Sequence, residues 1–262
     1  MPTAAGIVLA GGRSTRMGRP KAALEWHGST LLRHVVGLVG RGVAGPVVVV
    51  RAPGQALPSL PAGVAVVEDA REGRGPLEGL AAGLAAIDAE AAFVSSTDSP
   101  LLHPAFVRRV LRALDDDVDV ALPRARGYPQ PLAAAYRSSV VEVIRRHLAA
   151  ERVRLGDLFD DCRVRVLSED ELLADPELAS ADPALDSLVN LNEPADYEAA
   201  RARPAPEVVF AAFGPVRAAT LGAAAAAAGV ALDAIVALNG ERIEGDPLLP
   251  LVAGDAITAV TG

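Results

Sequence analysis

Cysteine and aromatic residues are nearly missing from this chain of 262 residues. Its single cysteine, Cys162, excludes an intrachain disulfide and a cysteine-built zinc site. A lone thiol of this kind reads most simply as a small buried hydrophobe. Aromatic residues make up only 3%, so Leu, Val and Ala must fill the core, and a hydrophobic fraction of 51% supplies them. Positive charge is also short. Lys and Arg number 25 against 33 Asp and Glu, a formal net charge of -8. A general nucleic-acid binder carries a basic face, so no nucleic-acid partner is expected and any phosphate site must be local. No apolar run approaches the roughly 20 residues of a membrane span. The opening Met1-Pro2-Thr3-Ala4-Ala5 lacks the basic and apolar regions of a secretion signal. No membrane partner is expected, and the chain reads as cytoplasmic. Its length suits one large domain or a medium one with a small one.

What the chain does carry is concentrated at its start. Ile7 to Ala10 is an uninterrupted apolar run, as in a strand buried on both faces of a parallel sheet. Gly11 and Gly12 follow, and they allow a sharp turn whose amides approach phosphate oxygens. Arg13, Arg16 and Lys21 then place three cations close behind. A nucleoside triphosphate needs both parts. The spacing matches neither the P-loop nor the Gly-x-Gly-x-x-Gly dinucleotide turn.

Further along, Val47 to Val50 and Val64 to Val67 read as buried strands, with a helix from a Ser29 cap through Val39 between the first two strands. Strand, helix and strand with short connections predict an α/β sheet, where ligands sit outside the carboxyl ends of the strands. Leu9 to Gly12, Arg51, Asp69 and Asp98 all fall at such ends. Helices are expected from Leu80 to about Ala89, from His103 to Leu114, and from Ser138 or Ser139 to Ala150. Strands are expected at Ala91 to Ser95 and Val118 to Leu122, with an edge strand at Cys162 to Leu167. Ser168 to Asp186 is acidic and loosely patterned, as an insertion would be.

The stretch Leu9-Ala10-Gly11-Gly12-Arg13-Ser14-Thr15-Arg16-Met17-Gly18-Arg19-Pro20-Lys21 resembles the opening of the MobA-like nucleotidyltransferases, and most of all their molybdenum cofactor guanylyltransferase branch. Gly75-Pro76-Leu77-Glu78-Gly79, Asp98-Ser99-Pro100, Gln130-Pro131-Leu132 and Asn190-Leu191-Asn192-Glu193-Pro194-Ala195-Asp196 are similar to later elements of that family. The resemblance implies a Rossmann-like (GT-A-like) domain over residues 1 to 203, with a mostly parallel sheet and helices on both faces. It implies transfer of GMP from GTP to the molybdopterin-bound molybdenum cofactor, with release of pyrophosphate. Leu9, Ala10, Gly11, Gly12, Lys21, Arg51, Asp69 and Asp98 would then contact the nucleotide. Arg16 and Lys21 would hold its triphosphate, Asp98 would bind Mg²⁺, and Asp69 would read the guanine edge. Gln130, Asn190 and Asn192 would line the pterin pocket. Asn190 and Asn192 share a face if this segment is a strand, and Asn192 reads equally well as the cap of the helix at Pro194.

Arg51 departs from the family, which tends to have Asn there. Gly11-Gly12 favours the guanylyl branch, because cytidylyl relatives usually read Leu-Ala-Ala-Gly. A CTP-dependent relative, a relative with a sugar or alcohol phosphate acceptor, and a non-catalytic nucleotide-binding protein of cofactor biosynthesis stay open.

Arg203-Pro204-Ala205-Pro206 reads as a linker. Beyond it, strands at Val208 to Phe213 and Ile235 to Leu238, an alanine-rich helix closed by Gly229 and an Asn239-Gly240 hairpin resemble the small α+β, ubiquitin-like β-grasp fold of the MoaD and ThiS sulfur carriers. Residues 207 to 262 are therefore expected to form a separate module that docks a protein of the cofactor pathway or a molybdoenzyme. The carriers end in Gly-Gly where this chain reads Val260-Thr261-Gly262, so carrier chemistry is not expected.

Overall fold

The apolar run near the start forms strand β1 (Ala4–Leu9), buried along its whole length. The computed structural model describes residues 3–11, 20–69 and 75–259. A short antiparallel hairpin, β2 (Glu25–Trp26) with β3 (Ser29–Thr30), leads into helix α1 (Leu31–Gly42). Next come β4 (Val47–Arg51), β5 (Ala65–Glu68), helix α2 (Pro76–Ala85) and β6 (Ala91–Ser96). Helix α3 (Pro104–Leu111), β7 (Val120–Ala125), β8 (Tyr128–Pro129), β9 (Ala133–Arg137), helix α4 (Val140–Ala149) and β10 (Val164–Leu167) follow. The strand order is β10-β7-β9-β6-β1-β4-β5, with β8 paired to β7 outside this path. β1 is parallel to both β4 and β6, and β9 runs against both its neighbours. From β1 the chain moves outward to β4. From β6 it moves the other way. Between β1 and β6 the sheet therefore has its switch point, where α/β sheets place ligands.

Successive side chains of a strand point to opposite faces, and both faces are filled in the middle of the sheet; β5, expected to be buried, lies at the edge and is largely exposed. Val8, Val49 and Phe93 pack with Val35, Val39 and Phe106 of α1 and α3. Ile7, Val48, Val50 and Val94 pack with Leu80, Leu84 and Ile144 of α2 and α4. Helix α2 lies close enough to β1 that a Cβ at Gly83 would stand 2.6 Å from Ile7 Cγ2. It starts at Pro76, ahead of the expected Leu80, because proline at the first helical turn loses no hydrogen bond.

Other local differences have similar causes. Ser29 is taken up by β3, so Thr30 caps α1 by accepting from Arg33 N. The acidic stretch after residue 168 forms two short helices, α5 (Glu169–Leu173) and α6 (Pro176–Ala181). A Ser168–Glu171 capping box starts the first, and Leu172 and Leu178 are fully buried. Helices this short show no readable period. Helix α7 (Pro194–Arg201) is capped by Glu193 with Asp196, and not by Asn192.

From residue 207 a second sheet forms. Its strands are β11 (Glu207–Phe210), β12 (Gly214–Arg217), β13 (Ile235–Leu238), β14 (Glu241–Arg242) and β15 (Ala256–Ala259), with helix α8 (Leu221–Ala228) after β12. The order is β12-β11-β15-β13-β14, and the central β11–β15 pair is parallel. Phe210, Leu221, Leu238 and Ile257 make its own core. Asn239 (φ 52) and Gly240 (φ 82) turn β13 into β14 with the two positive dihedrals of a tight hairpin.

This second unit is docked along α1. Arg33 Nη2 lies 2.7 Å from Asp246 Oδ2. Arg41 donates to Pro250 O at 2.8 Å and to Asp255 Oδ1 at 2.5 Å. A Cβ at Gly37 would stand 2.5 Å from Pro250 Cδ, so the proline ring rests on the glycine. A cavity of about 240 Å³ remains at the junction, with Trp26, His34, His103, Arg203 and Leu251 in its wall. No helix among the described residues is long and apolar enough to cross a membrane.

Candidate functional site

The carboxyl ends of β1 and β6 meet at the switch point. Thr97 donates to Leu9 O from both its amide and its hydroxyl, each at 3.2 Å. On the other side Ala10 N donates to Val50 O at 2.8 Å. The end of β1 is thus held from both neighbouring strands. Gly12 and Arg16 lie outside the described residues, as does Arg13.

Lys21 opens a single 3-10 turn after Pro20. Its ammonium lies 3.0 Å from Asp98 Oδ2 and donates to Leu191 O at 2.6 Å. Leu191 N in turn donates to the Asp98 carbonyl at 2.8 Å. These bonds close a ring through three segments distant in sequence. Ser96 Oγ donates to the other carboxylate oxygen, Asp98 Oδ1, at 2.5 Å. Lys21 and Asp98 are each about one-fifth exposed, at 19% and 21%, so the pair is sheltered yet reachable.

Asp69 follows β5, and its amide donates to Arg51 O at 2.9 Å. Its Oδ2 is 3.6 Å from where a Cβ would stand on Gly11. Glycine therefore leaves a gap between the β1 turn and this carboxylate, on the same sheet end as Lys21 and Asp98. Arg51 turns to its own surroundings, with Nη2 2.9 Å from Glu68 Oε1 and Nη1 donating to Gln55 O at 2.9 Å. Gln55 carries no signal in the sequence. It bridges the two strand ends, donating to Ala10 O and accepting from Ala52 N, both at 3.0 Å.

Gln130 precedes β9, whose Ala133 pairs with Ser95 of β6, so it lies at the same sheet end. Its side chain donates to Tyr128 O at 3.3 Å. Residues 189–192 are not a strand, and Asn190 and Asn192 are both exposed. Asn190 Oδ1 accepts from Ser99 Oγ at 2.9 Å, while the Asn192 amide donates to Asp196. The residue between them does the joining. Leu191 buries its side chain beside Trp26 and offers its backbone to both Lys21 and Asp98.

Behind the site, buried His34 bonds Pro100 O at 2.9 Å through Nε2. Burial lowers its pKa to about 4, so the ring is neutral. Burial pushes the Cys162 thiol up to about 11, which leaves it an unreactive thiol at neutral pH.

Among the described residues no group of three or more His, Cys, Asp or Glu could hold a metal by itself. Yet Asp98 and the Leu191 carbonyl already present two hard oxygens to a cation, the Lys21 ammonium. Such a donor set suits Mg²⁺, which takes one or two carboxylates and completes its shell with water and substrate phosphates.

Residues 6–165 match the family model of the MobA-like NTP transferase domain. This chain belongs to the MobA-like NTP transferase family. The molybdenum cofactor guanylyltransferase of Desulfosudis oleivorans is 33% identical over 203 residues, 77% of this chain and 96% of that protein. A probable molybdenum cofactor guanylyltransferase of Bacillus mycoides is 31% identical, covering 75% of this chain and 95% of its own length. Among solved structures, molybdopterin-guanine dinucleotide biosynthesis protein A from Archaeoglobus fulgidus superposes with a TM-score of 0.61 at 20% identity, over 75% of this chain and 96% of that one. The 2-C-methyl-D-erythritol 4-phosphate cytidylyltransferase from Thermus thermophilus gives 0.54 at 19% identity, over 77% and 98%. At such identities these two speak for the transferase fold alone.

Proposed function

We propose that this MobA-like transferase moves GMP from GTP to the terminal phosphate of molybdenum-bound molybdopterin and releases pyrophosphate. The observation that carries the reading is the Lys21–Asp98 pair at the β1–β6 switch point, with Asp69 facing Gly11 at the same sheet end. The guanylyltransferase names of its relatives support it. In the reaction the acceptor phosphate oxygen bonds to the α-phosphorus as the bond to the bridging β-phosphate oxygen breaks. No covalent enzyme intermediate is required, so the chain's task is to position two anions and neutralise charge. Lys21 supplies a compact positive charge to the triphosphate. Mg²⁺, when bound at Asp98, supplies further charge neutralisation at the phosphate oxygens. Asp69 accepts from the guanine N1–H and 2-amino group, two adjacent donors that cytosine and adenine do not present in this way. Gln130, Asn190 and Asn192 stand at the rim on the acceptor side.

The test is transfer measured with GTP and with CTP in the wild type and in Asp69→Ala. A carboxylate that pairs with guanine rejects bases that leave it unpaired. The expected result is strong GTP preference, lost in the variant more than total activity. A variant that keeps the full GTP-over-CTP ratio would move base recognition elsewhere.

The same reading takes residues 207–262 as a β-grasp module. Support comes from the order β12-β11-β15-β13-β14 with its parallel central pair and single helix. A protein of the cofactor pathway is its proposed partner. Val209 and Phe213, at 52% and 47% exposure, supply apolar surface. Co-elution of such a protein with the full chain, lost on Val209→Asp, is the expected result. Residues 260–262 lie outside the described residues.

A further inference from the structure

Asp98 has two oxygens, and the structure treats them differently. Oδ2 faces the Lys21 ammonium at 3.0 Å, in the position a cation takes. Oδ1 is turned back toward its own strand, where Ser96 Oγ donates to it at 2.5 Å. The two residues are two positions apart at the end of β6, with Thr97 between them, and the Ser96 backbone is anchored by its pairing with Leu9 of β1. The hydroxyl is therefore carried on the sheet itself, while Asp98 stands in the turn beyond it. The other anchor of Asp98 is its own carbonyl, which accepts from Leu191 N at 2.8 Å and leaves the side-chain torsions free. Among the described residues, Ser96 is the one contact of this carboxylate that fixes its plane without itself being a cation.

We propose that Ser96 is a positioning residue for Asp98: its hydroxyl ties down Oδ1 so that Oδ2 alone is presented to a divalent cation. The proposal rests on the reading of Asp98 as the metal-binding carboxylate. A carboxylate that enters as a fixed single-oxygen ligand loses less freedom on binding than one that must first find its rotamer. Hydrogen bonds behind a ligand have the same effect in metal sites generally. Lys21 cannot substitute, because its ammonium occupies the very oxygen the cation needs and must turn to the phosphates when nucleotide and metal arrive together. Ser95, the preceding residue, points its hydroxyl to the Ser96 carbonyl at 3.5 Å and gives Asp98 nothing.

The experiment uses the full chain with GTP and measures bound Mn²⁺ by the loss of the free-ion paramagnetic resonance signal. GTP binding is measured separately in excess chelator by calorimetry. Ser96→Ala is expected to weaken Mn²⁺ binding by about tenfold, the lower end of what such supporting partners contribute, with metal-free GTP affinity unchanged. Ser96→Thr, which keeps the hydroxyl, should recover most of the loss. Thermal unfolding of each variant controls for folding. Mn²⁺ binding in Ser96→Ala equal to wild type would overturn the proposal. So would an equal loss in Ser96→Ala and Ser96→Thr, which would make the effect one of packing. Asp98→Asn separates the two levels. If it abolishes Mn²⁺ binding while Ser96→Ala does not, only the positioning role fails. If Asp98→Asn also binds normally, the metal assignment of Asp98 fails and this proposal fails with it.

Discussion

Asp255→Ala should cost this protein about 3–5 kcal/mol of stability, the range for stripping one partner from a buried ion pair. Asp255 is 2% exposed. Its carboxylate accepts from Arg41 Nη2 at 2.5 Å, from Asn239 Nδ2 at 2.8 Å and from Val252 N at 2.8 Å. Removing it leaves the Arg41 side chain, only 12% exposed, with Pro250 O as its remaining contact across the junction. Desolvation decides the size of the effect. The Arg203–Asp186 pair has a similar separation, 2.7 Å, but its side chains are 46% and 38% exposed. Water screens such a pair, so Asp186→Ala should cost under about 1 kcal/mol. The assay is urea unfolding of the full chain followed by circular dichroism, with limited proteolysis at Arg203 to report undocking. The expected result is a large fall in the midpoint for Asp255→Ala, earlier cleavage at the linker, and a small change for Asp186→Ala. Arg41→Met with Asp255→Leu should recover part of the loss, because an apolar pair leaves no buried charge. Equal small effects from Asp255→Ala and Asp186→Ala would refute the view that the second unit is clamped to α1 by a desolvated charge pair.

Three further outcomes follow from other parts of the molecule. His34 is held at about pKa 4 by burial, below its usual value near 6.5. Its contribution to stability is thus complete above pH 6.5 and is lost as the pH falls toward 4, up to about 3 kcal/mol. Unfolding free energy measured across that window should slope in the wild type and flatten in His34→Gln. Gly83→Ala gains about 1 kcal/mol of helix propensity but drives a Cβ to 2.6 Å from Ile7 Cγ2. Overpacking of about 1–3 kcal/mol should win, so its melting temperature should fall, and a rise would show that α2 can shift. Lys21→Ala should weaken GTP binding measured by calorimetry, and Lys21→Arg should recover it only in part, since a planar fork does not replace a point charge. Unchanged affinity in Lys21→Ala would remove it from the phosphate site.

Much of the fold was legible because its strands are continuous apolar runs: Ile7 to Leu9, Val47 to Val50 and Ala91 to Val94 each lie where such runs predict. That Lys21 and Asp98 serve one site was legible in outline, since Asp98 follows the end of β6 and Lys21 closes the motif that begins at the end of β1. Other parts were hidden for definite reasons. Leu191 joins the site through its backbone, which every residue possesses, whereas its neighbours Asn190 and Asn192 carry the polar side chains that a sequence makes visible. Ser96 and Gln55 act through one and two side-chain hydrogen bonds respectively, which leave no periodic signal. Arg33 and Arg41 meet Asp246 and Asp255 across 213 and 214 residues of chain, a distance over which no local pattern reaches. The short helices α5 and α6 are set by caps and two buried leucines rather than by a repeating face.

The most direct measurement is product formation by the purified chain given GTP, Mg²⁺ and molybdenum-bound molybdopterin, followed by mass spectrometry and pyrophosphate release, in the wild type and in Asp98→Asn. Lost electrostatic stabilisation at a metal site costs at least about a hundredfold in turnover. The account predicts the guanine dinucleotide product from the wild type, little or none with CTP in place of GTP, and a loss of that size in Asp98→Asn with its fold intact. A wild type that makes the cytidine product instead, or an Asp98→Asn variant that turns over at the wild-type rate, would contradict it.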